Sequence, residues 1–121
     1  MMKKRILVVD DSQAILDVMS VALEAEGYEV TTSLTGACLR QMERHLPDLI
    51  LLDVLLSGED GGEICQRLKS DERTRHIPLI LISAHAGLPE TAGKCGADGF
   101  LVKPFHLYEL RDIVNRHIGE P

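Results

Sequence analysis

At 121 residues the chain is long enough to bury a core of its own and too short for two domains, so residues 1–121 are expected to form a single domain. A hydrophobic fraction of 45% and a charged fraction of 26% are typical of a globular protein, and no apolar run approaches the roughly 20 residues of a membrane span, so we expect a cytoplasmic protein without membrane contact. The net charge of -6 argues against direct binding of nucleic acid, which requires clustered Lys and Arg.

The chain alternates short apolar runs with longer amphipathic segments. The apolar or β-rich runs predict strands at residues 6–9, 28–33, 49–52, 79–82 and 99–102. The segments between them predict helices that begin after Ser12, at about residue 36, after the glycine-rich loop 57–62, within residues 87–96 and after Pro104. Because strands and helices alternate throughout, the sequence predicts an α/β fold in which a five-stranded parallel sheet has helices on both faces.

Apolar residues at helical spacing identify the inward faces of the predicted helices. They are Ile15, Met19, Ala22 and Leu23 in the first helix, Leu39 and Met42 in the second, which spans about 36–44, Ile64, Cys65 and Leu68 in the third, and Leu107, Leu110, Ile113 and Val114 with His117 or Ile118 in the last. Ser12 can cap the first helix, and Gly27 can end it. The fourth helix, within residues 87–96, is rich in glycine, and each interior glycine costs about 1 kcal/mol relative to alanine. We therefore expect it to be short and to be the most mobile element.

Four of the predicted strands end in polar or charged residues. The first is followed by Asp10 and Asp11, the third by Asp53, the fourth by Ser83 and the last by Lys103. In a parallel sheet the carboxyl ends of the strands lie at one edge, and the crevice beyond this carboxyl edge is where open α/β sheets bind ligands. The sequence therefore predicts three carboxylates, a hydroxyl and an amine at the carboxyl edge.

Each of these residues has an ordinary structural explanation when it is considered alone. Asp11 and Ser12 could cap a helix, Asp53 could begin an Asx turn, Ser83 could end a strand, and Lys103 could be a solvated charge. The combination favours a binding site, because three converging carboxylates repel one another and raise their pKa values unless a cation offsets the repulsion.

The chemistry of the combination indicates Mg²⁺ and phosphate. Mg²⁺ prefers carboxylate, water and phosphate oxygens, whereas zinc would need His or Cys at ligand spacing, and the cysteines of this chain are widely spaced. The Ser83 hydroxyl and the Lys103 amine suit the other oxygens of a tetrahedral dianion. Asp53 is then a candidate nucleophile that could attack phosphorus and form an aspartyl-phosphate.

Four motifs at these strand ends occur in the order Asp10-Asp11, Asp53, Ser83-Ala84 and Lys103-Pro104. With these motifs the chain resembles the receiver domain of two-component response regulators over essentially its whole length. The resemblance implies a flavodoxin-like fold with strand order 2-1-3-4-5. It also implies that Asp53 accepts a phosphoryl group from a histidine kinase or a histidine phosphotransfer protein. Asp10 and Asp11 would bind Mg²⁺ together with Asp53 and the backbone carbonyl of Leu55.

The same resemblance implies roles for residues near the last two strands. Lys103 would pair with the phosphoryl group and form a cis peptide bond with Pro104, and Ser83 and Phe100 would be the switch residues. Phe100 replaces a tyrosine that is common at this position. We expect its ring to stay buried and to lack only the hydroxyl.

Two positions that differ among receivers should border the phosphoryl group and affect its lifetime. Leu55, two residues after Asp53, offers no hydrogen bond to an attacking water, so we expect it to exclude that water and slow hydrolysis. His85, two residues after Ser83, could act as a general base or could shield the phosphoryl group, and we prefer shielding. The loop also reads Leu56-Ser57 where Met-Pro is usual, which leaves its rigidity open.

We predict a phosphorylation-driven interaction module rather than an enzyme. The alternative is a Mg²⁺-dependent phosphohydrolase with an aspartyl nucleophile. A phosphatase of the haloacid dehalogenase type would carry Asp-x-Asp after its first strand and a substrate cap, whereas here Asp10 and Asp11 are adjacent and every crossover is short. The signalling face is expected within residues 84–118, because Ser83 and Lys103 lead into it, and a downstream protein or an output domain would bind there.

Overall fold

The computed structural model describes residues 3–40, 46–56 and 58–119. In chain order the elements are β1 (Arg5–Val9), α1 (Gln13–Ala25), β2 (Glu29–Ser33), α2 (Ala37–Arg40), β3 (Leu49–Asp53), β4 (Leu55–Leu56), β5 (Glu59–Asp60), α3 (Gly61–Ser70), β6 (Leu79–Ser83), α4 (Leu88–Cys95), β7 (Gly99–Val102) and α5 (Leu107–Ile118). Every predicted strand and helix is present. The second helix can be followed only to Arg40, and its predicted inward residue Met42 and predicted end at Arg44 lie outside the described residues.

The main sheet is parallel, and its strands follow the order β2-β1-β3-β6-β7. This is the predicted order 2-1-3-4-5 once the short antiparallel hairpin of β4 and β5 is set aside. The sequence did not predict this hairpin, and α3 begins at Gly61, inside the predicted loop 57–62. Because all five strands run the same way, their carboxyl ends meet at one edge.

The core consists of two apolar layers, one on each face of the sheet. Side chains of alternate sheet residues pack with α2, α3 and α4 on one face and with α1 and α5 on the other. Every residue of β3 and β6 is buried, which explains why these two strands are continuous apolar runs rather than alternating ones. The sheet thus gives the residues at its carboxyl edge a rigid base.

Helix α1 begins and ends as the sequence predicts. The Ser12 Oγ accepts a hydrogen bond from the backbone of Ile15, and Gly27 adopts a φ of 99° just beyond the helix. The buried face contains Leu16, which was not predicted, with Met19 and Leu23, whereas Ile15 is only partly buried. The buried face of α1 therefore keeps Met19 and Leu23 of the predicted stripe and has Leu16 in place of Ile15.

Helices α4 and α5 flank β7. Helix α4 has 8 residues, in line with the prediction of a short helix, and α5 buries Leu110, Ile113 and Val114. Leu107 was expected on the same stripe but is 49% exposed, because it is the first residue of α5 and precedes the turn that packs on the sheet. Among the described residues, no helix has both the length and the apolar character required to cross a bilayer.

Candidate functional site

Three carboxylates meet at the carboxyl edge, as predicted. Asp10 and Asp11 follow β1, Asp53 ends the neighbouring strand β3, and a carboxylate oxygen of each lies within 4.8 Å of the others. Asp10 and Asp53 are buried, with 1% and 5% of their surfaces exposed, whereas Asp11 is exposed. The cluster is thus open to solvent on the Asp11 side and enclosed by the sheet on the other.

Lys103 reaches into this cluster from β7. Its Nζ donates a hydrogen bond to Asp10 Oδ2 at 2.8 Å and lies 3.5 Å from Asp53 Oδ2. The peptide bond to Pro104 is cis, as the resemblance implied, and the Lys103 backbone N–H donates to the Ser83 carbonyl. Sequence reasoning assigned Asp10 to a metal and Lys103 to a phosphate, and it missed the ion pair that joins them.

Burial and the neighbours in the cluster shift the pKa values of both Asp53 and Lys103. Burial raises the pKa of Asp53, and the Asp10 carboxylate raises it further, while Lys103 and the Leu55 N–H lower it without cancelling the rise. Burial opposes the charge of Lys103, but its hydrogen bond to Asp10 and the charge of Asp53 outweigh burial and raise its pKa. The raised pKa expected for converging carboxylates is thus present at Asp53, where burial is a larger cause than the repulsion by Asp10.

This donor set fits a hard divalent cation. The three side chains offer only carboxylate oxygens as possible ligands, and these oxygens lie within 4.8 Å of one another. Mg²⁺ is bound by this kind of oxygen set, whereas zinc sites use His or Cys. Asp10, Asp11 and Asp53 could therefore hold Mg²⁺, and the part played by the Leu55 carbonyl stays a prediction.

Ser83 ends β6 at the same edge and is buried. Its Oγ accepts a hydrogen bond from the backbone of His85 at 2.9 Å. This bond uses an acceptor position of the hydroxyl, so the hydroxyl proton can still be donated to an anion. The geometry thus connects the predicted switch residue to the loop that enters α4.

Leu55 and His85 follow the two site residues Asp53 and Ser83 by two positions each and are bonded to them through their backbone N–H groups. Both line a groove of about 650 Å³ between α3 and α4, and 62% of Leu55 is exposed. The Leu55 N–H donates to Asp53 Oδ1 at 3.3 Å, and His85 Nδ1 accepts from the Gly87 N–H at 2.9 Å. Because Nδ1 must be unprotonated to accept this bond, the proton of the neutral ring is on Nε2.

Phe100 does not have the buried ring that was expected. It is 40% exposed on β7, and the next outward-facing residue, Val102, is 47% exposed. Side chains alternate along a strand, so Leu101 enters the core while Phe100 and Val102 point to the opposite face. These two residues stay partly exposed because β7 is at the edge of the sheet. The switch role of Phe100 stays a prediction, and the switch would start from a partly exposed Phe100.

Comparison with known proteins identifies the family. The family model for the response regulator receiver domain matches residues 6–115. The chain belongs to this family. It is 46% identical over 106 residues to the response regulator PleD of Caulobacter vibrioides, in an alignment that covers 85% of this chain and 23% of PleD. It is 31% identical over 122 residues to the polar-differentiation response regulator DivK of Brucella ovis, in an alignment that covers 98% of this chain and 99% of DivK.

The receiver fold is also found among solved structures. The receiver domain of the sensor histidine kinase PA1611 from Pseudomonas aeruginosa matches with a TM-score of 0.87 and 32% identity, over 98% of this chain and 100% of that domain. That structure has a magnesium ion coordinated in its active-site cleft. The flavodoxin-like receiver fold predicted from the sequence is therefore confirmed. The chain spans about a quarter of PleD and nearly the whole of DivK.

Proposed function

We propose that residues 1–121 act as one receiver domain, in which Asp53 accepts a phosphoryl group from a histidine kinase or a histidine phosphotransfer protein. The observation that carries the proposal is the buried Asp53 carboxylate, which lies within 4.8 Å of the Asp10 and Asp11 carboxylates and 3.5 Å from Lys103 Nζ, itself paired with Asp10. The proposal includes a cytoplasmic site of action without direct contact to membrane or nucleic acid. The domain is a signalling switch and has no dedicated substrate turnover of its own.

The chain's own groups orient the acceptor for the transfer. The Leu55 N–H holds Asp53 Oδ1, and Lys103 faces Oδ2, so the carboxylate has one preferred direction. A carboxylate oxygen attacks phosphorus, the bond from phosphorus to the donor nitrogen breaks, and Lys103 offsets the charge of the new phosphoryl oxygens. Mg²⁺ held by Asp10, Asp11, Asp53 and the predicted Leu55 carbonyl would supply further positive charge to these oxygens.

Ser83 transmits the change to the signalling face. When the Ser83 side chain moves toward a phosphoryl oxygen to donate its hydroxyl proton, Oγ also moves relative to the His85 N–H from which it accepts a hydrogen bond. His85 is bonded in turn to Gly87 at the start of α4, so α4 responds first. Phe100 on the neighbouring β7 then changes its exposure, and a downstream protein or an output domain binds within residues 84–118.

The lifetime of the phosphoryl group depends on Leu55 and His85. Leu55 excludes the attacking water. His85 shields the site and does not act as a general base, because its Nδ1 is bonded to the Gly87 N–H and its Nε2 already carries a proton, so neither nitrogen can take a proton from water. Dephosphorylation at fixed Mg²⁺ is therefore expected to be faster in Leu55→Asn and in His85→Ala than in the wild type. A slower decay of His85→Ala would make the histidine catalytic, and an unchanged decay of Leu55→Asn would disprove water exclusion.

The assignment of Asp53 is tested by labelling with acetyl phosphate and Mg²⁺. Asp53→Asn keeps the shape but lacks the nucleophilic oxygen, so labelling should be lost. Asp17→Asn, which changes an exposed carboxylate on α1, is the matched control and should label like the wild type. Strong labelling of Asp53→Asn would refute the proposal, and sustained turnover of small phosphate esters by the wild type would favour the phosphohydrolase instead.

Protein stability gives an independent test of the same residue. The pKa of Asp53 in the folded protein is above its ordinary value of 3.8. The ionised carboxylate therefore destabilises the metal-free fold at any pH above the folded pKa. Asp53→Asn should then be more stable than the wild type at neutral pH without Mg²⁺. The difference should vanish below pH 3.8, where the carboxyl is protonated in both the folded and the unfolded state. Urea unfolding at several pH values measures this difference.

A further inference from the structure

The loop that follows Asp53 returns to the backbone from which it starts. Strands β4 and β5 pair Leu55 with Asp60 and Leu56 with Glu59, and the Gly61 N–H then donates to the Val54 carbonyl at 2.7 Å. Gly61 is the first residue of α3 and is buried. The amino end of α3 therefore rests directly on the backbone next to Asp53.

Gly61 has no room for a side chain. A Cβ atom at this position would lie 2.3 Å from the Asp53 carbonyl oxygen and 2.7 Å from the Val54 Cα. Both are backbone atoms, so only a shift of the chain at Asp53 and Val54 could relieve the overlap. By contrast, a Cβ at Gly58, in the turn of the same hairpin, or at Gly93, in α4, meets nothing within 4 Å.

The backbone at this contact sets the direction of the Asp53 carboxylate. The Leu55 N–H holds Asp53 Oδ1 at 3.3 Å, and the Val54 N–H is bonded to the Ile82 carbonyl of β6 at 3.0 Å. The other groups of the site, Asp10 and Lys103, are on different strands and would not follow a shift of this segment. A displacement at Val54 would therefore change the distances between Asp53 and its partners.

We propose that Gly61 is a positioning residue: by lacking a side chain it lets α3 pack against the Asp53 and Val54 backbone and fixes the acceptor relative to Asp10, Asp11 and Lys103. The role in metal binding follows from the acid cluster alone, whereas the role in phosphoryl transfer rests on the function proposed above. Gly61 does not touch the reacting atoms and acts only through the backbone of the acceptor.

The test compares Gly61→Ala with two control variants. Gly58→Ala strains the same hairpin, because Gly58 has a φ of 73°, but leaves Asp53 untouched, and Gly93→Ala adds a methyl group in open space. We expect Gly61→Ala to weaken Mg²⁺ binding, measured by calorimetry, about tenfold or more. Labelling by acetyl phosphate should slow by up to about 100-fold. Both controls should keep the wild-type values, even where urea unfolding shows that Gly58→Ala is less stable.

Wild-type Mg²⁺ affinity and labelling rate in a folded Gly61→Ala would overturn the proposal. A Gly58→Ala variant that loses affinity as strongly as Gly61→Ala would also overturn it, because general loop strain would then suffice. If the wild type does not label at all, the proposed function fails, but the difference in Mg²⁺ affinity still tests Gly61. Amide exchange of the metal-free wild type is decisive even if Gly61→Ala does not fold: protection of the Gly61 and Leu55 amides supports the proposal, and exchange at unprotected rates overturns it.

Discussion

Helices α1 and α4 both leave the carboxyl edge next to a site residue, but they are stabilised very differently. Helix α1 has 13 residues, a side-chain cap from Ser12 and three large buried side chains, those of Leu16, Met19 and Leu23. Helix α4 has 8 residues, a cap residue, Gly87, with no side chain to bond the first turn, and only one large buried side chain, that of Leu88, beside Ala92 and Cys95. The side of the site that holds Asp10 and Asp11 is therefore firmly anchored, whereas the side that follows Ser83 is not.

The difference shows which part of the molecule can respond to a change at Asp53. Elements that move in a switch are drawn from those with low local stability. If Ser83 shifts as proposed, the hydrogen bonds through His85 to Gly87 would carry the shift to α4, which can absorb it at a small free-energy cost. The same shift at the α1 side would disturb a capped helix and a large part of the core.

Lys103 joins the Asp10 side of the site to the Ser83 side, because its Nζ is paired with Asp10 and its backbone N–H donates to the Ser83 carbonyl. Its removal should have the largest effect on stability. Lys103→Met leaves Asp10, which is 1% exposed, without its cation, and losing one partner of a buried ion pair typically costs about 3–5 kcal/mol. Urea unfolding of the metal-free protein measures the loss, and Lys94→Met, at an exposed lysine of α4, is the control.

The pH dependence of this effect has a definite sign. Because the folded pKa of Lys103 is raised above 10.5, its contribution is present at neutral pH and is lost as the pH rises through the folded value. The gap between the wild type and Lys103→Met should therefore close only in alkaline solution. Equal stability of the two proteins at neutral pH would mean that the two sides are not joined by this ion pair.

The second prediction measures the contrast between the two helices directly. In the metal-free protein the amides of α4 should exchange at least about tenfold faster than those of α1, a difference of ~1.4 kcal/mol. With Mg²⁺ and beryllofluoride, which mimics the phosphoryl group, the changes in protection should concentrate in residues 84–108. Equal protection of α1 and α4, or changes spread evenly over the chain, would contradict the comparison.

The parts of the molecule that the sequence predicted follow from topology and local pattern. Apolar runs and turn residues identify the strands, and a parallel sheet then brings Asp10, Asp53, Ser83 and Lys103 to one edge, whatever their side-chain contacts are. The cap at Ser12 is equally local, because it depends only on the residues of one helical turn.

The parts that the sequence did not predict depend on contacts across the fold. The exposure of Phe100 depends on which strand lies at the edge of the sheet and on what covers that edge. The ion pair of Asp10 and Lys103 joins residues that are 93 positions apart, and no spacing rule indicates it. The close approach of Gly61 to Asp53 had a weak signal in the sequence Asp60-Gly61-Gly62, which reads equally well as an ordinary turn.

The smallest predicted effects have opposite signs in the two helices. Ser12→Ala removes the cap of α1 and should destabilise the protein by about 1 kcal/mol. Gly93→Ala, at an exposed position of α4 with open space around it, should stabilise that helix by about 0.5–1 kcal/mol, because alanine loses less backbone entropy than glycine.

The two variants separate local from global stability. Helix α1 packs into the core, so the loss in Ser12→Ala should appear in urea unfolding of the whole domain. The gain in Gly93→Ala should appear mainly as slower amide exchange within α4, because this helix is expected to open without unfolding the sheet. If Gly93→Ala slows exchange in α4 and also reduces the change caused by beryllofluoride, then the low stability of α4 is part of the response. If exchange in α4 slows but that change is unaffected, α4 is only a weak helix next to the site and does not limit the response.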